Sequence, residues 1–230
     1  MAVSIERIEV AFPVIGSAAH WTHRVSEFLK HPLVDKAIAL IAVFPFVYPV
    51  IHHFDTLGFN IPEIVYVLQS GLLAGTMIFR NPPRRVTPNP IFWVLAFVAT
   101  YWGFIAVGFE GPGVRVAPMW LLNTITLTTL AGIFWARFSL GRNIGFVPAQ
   151  REIVTHGMYK YIRHPIYAVV FVSIIGAMLE RWSLRNAAVL GAGILLFGVK
   201  SFVEENLLKQ DAQYAAYMDK VRYRFIPGIF

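Results

Sequence analysis

"IFWVLAFVATYWGFIAVGF" (91–109) carries no charged residue from end to end. A helix of a soluble domain shows a polar face every third or fourth position. This run offers only Thr100 and the polar edges of Tyr101 and two tryptophans. About 20 mostly apolar residues cross the hydrocarbon core of a bilayer as a helix, with every backbone polar group bonded internally. The run therefore reads as a membrane span, and the chain as an all-α integral membrane helical bundle.

Outward from that stretch, five further apolar runs have similar character. They lie at 37–53 ("AIALIAVFPFVYPVIHH"), 61–79, 117–136, 165–180 and 186–205, which gives about six transmembrane helices. Pro45 and Pro49 are expected to kink the first. The last is expected to run on as an amphipathic helix towards Met218. "RWSLR" alone joins the fifth and sixth, so those two form a tight hairpin. Composition agrees: 57% of residues are hydrophobic, 14% are charged, and the mean hydropathy is +0.58. A soluble domain carries roughly a quarter charged residues. No repeat or linker divides the chain, so 1–230 reads as a single membrane domain, with spans one to four within 1–136 and a distinct C-terminal region over 137–230.

The bases set an orientation. Arg7, Arg24, Lys30 and Lys36 precede span one; Arg80, Arg84 and Arg85 fill the second loop; Arg137, Arg142, Arg151, Lys160 and Arg163 fill the fourth; Lys209, Lys220, Arg222 and Arg224 follow span six. The alternate loops hold only Arg115, Arg181 and Arg185, and Lys200 lies inside span six. Cytoplasmic loops collect Lys and Arg, so both termini are expected in the cytoplasm. The membrane is a bacterial inner membrane or the endoplasmic reticulum. The opening residues lack the long apolar core of a cleavable signal peptide. "SAAHWTHRVSEFLKH" (17–31) has the mixed pattern of a helix lying at the interface, and "RNPPRRVTPNP" (80–90) that of a stiff loop.

The formal net charge of +7 marks membrane orientation and not nucleic acid, because no basic run with interleaved aromatics offers a binding face. The absence of cysteine removes disulfides, thiolate nucleophiles and Cys-based metal sites. No P-loop, G-x-S-x-G, His-Glu-x-x-His or dinucleotide fingerprint is present, and no metal is expected.

Unusual residues collect in 137–230. Taken singly, each has a plain structural reading. Pro165 starts a helix, with His164 beside its N-cap; His31-Pro32 has the same look. Glu204 and Glu205 either emerge into water, with Lys200 paired to Glu204 one turn back, or face a ligand. Arg222 and Arg224, alternating with aromatics in "VRYRFIP", resemble an interfacial anchor. Asn123 and the threonines of span four read as polar groups packing between helices.

Taken in order, "LGRNIG…REIVTHGMYKYIRHPIY", an apolar hairpin and "EENLL…YAAYMDKVRYRFIP" resemble the isoprenylcysteine carboxyl methyltransferase family, grouped with phospholipid methyltransferases. The resemblance implies S-adenosylmethionine as cofactor. It implies that Tyr159, His164, Pro165 and Tyr167 form one wall of its site, and that Glu204 and Glu205 form the other. It implies catalytic roles for Arg224, orienting an acceptor carboxylate, and for Glu204. The acceptor would be a prenylated or other lipophilic small molecule reached through the membrane lipids. Val169 stands where that family often has Gly, and would narrow the pocket or shift the helix. Two other readings remain: an NADPH-dependent sterol-type reductase, and a non-catalytic accessory protein of the same fold.

Overall fold

A computed structural model of the chain describes residues 24–25, 27–52, 61–87 and 89–229. Most of the interfacial helix expected over 17–31 lies outside these residues. The helices are α1 (Pro32–His52), α2 (Ile61–Ile78), α3 (Pro90–Val107), α4 (Met119–Leu140), α5 (Pro165–Glu180), α6 (Leu184–Leu208) and α7 (Ala212–Lys220). α1, α3, α4 and α6 are long and apolar enough to cross a membrane; the apolar parts of α2 and α5 are shorter. The architecture is an all-α membrane bundle, as the apolar runs predict. α1 runs on through Pro45 and Pro49 as one helix.

The loops show how the helices alternate. The expected stiff loop contains a short strand, β1 (Arg85–Val86), which pairs antiparallel with β2 (Ala149–Gln150) of the loop after α4. At the opposite end, Val114 pairs with Trp182, and Asn186 Oδ1 accepts from the Gly111 amide at 2.8 Å. The second and fourth loops meet at one end and the third and fifth at the other, so α1 to α6 run up and down between two surfaces. Packed pairs are α1 with α2, α2 with α4, α4 with α5, α5 with α6, and α3 with α6. Outward faces are apolar: Ile41, Ile51, Val94, Trp120, Phe138 and Leu195 are all exposed. Lipid is the solvent that accepts such surface.

Local sequence sets the helix ends. Asn89 Oδ1 caps α3 by accepting from the Ile91 amide at 3.0 Å, with Pro90 in the first turn. Ser183 Oγ caps α6 by accepting from Asn186 at 3.1 Å. α6 does not run on to Met218. It stops at Leu208, and Asp211 starts α7 by accepting from the Gln213 amide at 2.7 Å. The cap satisfies donors that a continuous helix would bond internally, so the chain turns there.

The polar groups of α4 were expected to pack between helices. Thr129 is buried and Thr124 exposed, and both return their hydroxyls to carbonyls of their own helix, those of Thr126 and Trp120. The α4–α5 seam is closed by glycine. A Cβ on Gly132 would lie 2.9 Å from Val169 Cγ2, and one on Gly176 2.9 Å from Ile125 Cγ2. Val is stiff at χ1, so it yields little. Gly132→Ala is expected to lower thermal stability in the native background and to raise it in a Val169→Ala background. The coupling should be about 1–3 kcal/mol, read from a double-mutant cycle of unfolding midpoints in detergent. Additive effects would show that the seam has slack.

Candidate active site

The loop between α4 and α5 reaches the site through a tight turn. Gly157 has φ +59°, and a Cβ there would lie 2.0 Å from Ser139 Oγ, so glycine is required on both counts. The turn leads into a 3₁₀ segment, Gly157–Lys160, that buries Tyr159. Pro165 then opens α5 and is fully buried. His164 occupies the N-cap position, but its ring caps nothing. The backbone amides of Arg163 and His164 donate to the carbonyls of Tyr223 and Arg224, at 3.0 and 2.9 Å. The hairpin thus returns the tail against the loop, as the short link between α5 and α6 predicts.

Two adjacent carboxylates take different partners. Glu205 is 3% exposed. Its Oε1 accepts from Arg163 Nε at 2.7 Å and lies 3.0 Å from His164 Nε2; its Oε2 accepts from Arg224 Nη2. A carboxylate only accepts, so His164 carries its proton on Nε2. Arg163 Nη1 also donates to the Val221 carbonyl at 2.8 Å, and the Arg224 guanidinium lies 3.6 Å over the Phe202 ring. Glu204 accepts from the Tyr167 hydroxyl at 2.7 and 2.8 Å. His164 Nδ1 lies 3.8 Å from it, and Lys200 Nζ 3.9 Å. Lys200 itself is buried and donates to Thr100 Oγ1 at 3.0 Å. The pairing of Lys200 with Glu204 exists, but not on a helix emerging into water.

Glu204 faces a cavity of about 350 Å³. Tyr159, His164, Tyr167, Lys200, Tyr214 and Tyr217 line it, together with Phe46, Leu73, Met77, Ile133 and Arg137. Pro165, Glu205 and Arg224 are not among its lining residues; they stand behind the wall and fix it. Val169 is not on the lining either, since it points at Gly132. Arg222 is exposed and makes no side-chain contact to the two carboxylates. Burial pushes the phenols of Tyr159, Tyr214 and Tyr217 well above their ordinary range, so the cavity side presents neutral rings. Tyr217 donates its hydroxyl to the Tyr159 carbonyl at 2.7 Å, locking α7 to the loop.

Sequence reasoning missed Arg163, Lys200 and Arg137. A lysine inside an apolar span was a usable signal, because an intramembrane charge is costly unless it has a partner or a task. Arg163 sits within the motif itself, but weight fell on the neighbouring histidine.

Residues 116–212 match the phospholipid methyltransferase family. The match supports a membrane methyltransferase. It spans α4 to the start of α7, so the matched segment holds Arg137, Tyr159, His164, Tyr167, Lys200, Glu204 and Glu205. Arg224 and the tail that binds Glu205 follow it. No curated protein matches the chain.

Proposed function

We propose that this protein moves a methyl group from S-adenosylmethionine to a lipophilic acceptor at the membrane surface. The observation that carries the reading is the Glu204 carboxylate, held on the cavity wall by Tyr167, next to His164 and neutral tyrosine rings. The acceptor is an isoprenylcysteine-type carboxylate or another lipid-soluble nucleophile. On the charge rule, the site faces the cytoplasm.

The residues fit the proposed cofactor. A carboxylate in the cavity accepts from hydroxyl or ammonium groups, and the ring faces of Tyr159, Tyr167 and Tyr214 favour a cation. When bound, S-adenosylmethionine supplies a sulfonium methyl: the acceptor's electron pair forms the new bond to carbon as the C–S pair returns to sulfur. Glu204 would hold the donor's polar groups, with Tyr167 and Lys200 fixing its orientation. His164, held by Glu205, would present Nδ1 towards the cavity. Glu205, Arg163 and Arg224 keep the wall rigid and dry. Position is the main contribution, since fixing two reactants in attack geometry is worth up to about 7–11 kcal/mol. Arg224, expected to orient an acceptor carboxylate, would act instead by holding Glu205.

Incubation with methyl-labelled donor and membrane lipid is expected to label a lipid-extractable product. No donor binding by calorimetry, in detergent and in lipid, overturns the reading. Glu204→Gln is expected to weaken donor affinity at least tenfold, about 1.4 kcal/mol, and to lower the unfolding midpoint less than a change at Glu205 does, since Lys200 keeps its bond to Thr100. Unchanged affinity removes Glu204 from the site.

A further inference from the structure

Arg137 takes no part in the arrangement above. It lies near the end of α4 and lines the cavity, yet its Nε and Nη1 are buried with no hydrogen-bond partner. A buried guanidinium without a counter-charge is costly and is retained where something else supplies the charge.

Nearby groups do not. Arg151 also lines the cavity, and Arg80 stands behind it. These two share the single carboxylate of Asp35, at 2.9 and 2.6 Å from its Oδ1. Lys36 donates to the carbonyls of Ile78 and Arg80, and Arg142 to that of Phe79, so neither is neutralised there. Of the acids on the lining, Glu152 has a side chain 61% exposed and stands 4.0 Å from Arg84, while Glu204 is engaged with Tyr167. The lining of the cavity therefore carries surplus positive charge. Phe46, Leu73, Met77 and Ile133 give it an apolar wall beside that charge.

We propose that Arg137 binds the anionic group, a carboxylate or a phosphate, of an amphiphilic methyl acceptor whose apolar part lies against Phe46, Leu73, Met77 and Ile133. The planar guanidinium offers two parallel donors to such a group. The assignment of this ligand as acceptor rests on the methyl-transfer reading.

The test uses the full chain in neutral detergent, with thermal unfolding as readout and three probes: oleate, dioleoyl phosphatidate and oleyl alcohol. Oleate or phosphatidate is expected to raise the wild-type midpoint, and oleyl alcohol is not. A response to phosphatidate alone identifies a phosphate headgroup; a response to oleate alone identifies a carboxylate. Arg137→Met should abolish the shift and leave the ligand-free midpoint at or above wild type, because it removes an unpaired buried charge. Arg137→Lys should keep part of the shift. S-adenosylmethionine affinity, measured separately, should stay within threefold of wild type in Arg137→Met. The proposal is overturned by equal shifts from all three probes, by no shift with either anion, or by a shift that survives Arg137→Met. A tenfold loss of donor affinity in Arg137→Met also overturns it, since the bound anion would then be the donor's own carboxylate. Failure of the wild type to bind the donor, with the anion shifts intact, sinks the methyl-transfer reading and leaves the anion site standing.

Discussion

Glu205→Gln is expected to destabilise the protein by about 3–5 kcal/mol, more than any change on the cavity face. The amide keeps the shape of the side chain but removes the one negative charge that Arg163, Arg224 and His164 share. Two guanidinium groups then remain buried against an amide that can accept at one end only. The loss is read from unfolding midpoints in detergent, beside Glu204→Gln as control. Glu204→Gln should change donor affinity and cost less stability; Glu205→Gln should lower both, donor affinity through the lost stability. A Glu205→Gln chain that unfolds within about 1 kcal/mol of wild type would show that water reaches this cluster and that the wall does not depend on it.

Asp35→Asn should cost a similar amount. Asp35 is 5% exposed, and its carboxylate takes Arg80 Nε at 2.9 Å as well as the two contacts to Oδ1. Burial and the charge of Arg80 pull Arg151 down to about 10, against the attraction of Asp35, so it stays charged at neutral pH and needs that carboxylate. Because Asp35 belongs to α1, Arg80 to the loop after α2 and Arg151 to the loop after β2, the change loosens three segments at once. An apolar triple replacement, Asp35→Leu with Arg80→Met and Arg151→Met, should recover most of the stability, since burying well-packed apolar groups in place of ions is often neutral or better. Failure of that rescue would show that geometry, not charge balance, is what the cluster supplies.

Much of this was legible in the sequence because lipid imposes strong rules. Apolar runs located α1 to α6, and the start of α5 at Pro165 follows from proline's tolerance in a first helical turn. The end of α6 was not legible, because Leu207 and Leu208 continue the apolar pattern and only the Asp211 cap stops it. In sequence the two glutamates are equals. On a helix, neighbours point about a quarter-turn or more apart, so Glu204 meets the cavity and Glu205 meets the tail; nothing local distinguishes them. Arg137 was invisible for another reason. A lone base at the end of an apolar run has the pattern of an interfacial anchor, and only the packing of distant helices shows that its guanidinium is enclosed. Val169 looked like an obstacle to the pocket, and the residue that accommodates it, Gly132, lies a whole helix away.

The shared clasp on Glu205 also has an order in time. Arg163 precedes it by 42 residues and Arg224 follows it by 19. Synthesis runs from the amino end, so Glu205 is added with one of its two guanidinium partners already made and the other still untranslated. The acid is therefore half-compensated until the segment that bears Arg224 joins it. The wall of the cavity cannot be finished before Arg224 is in place.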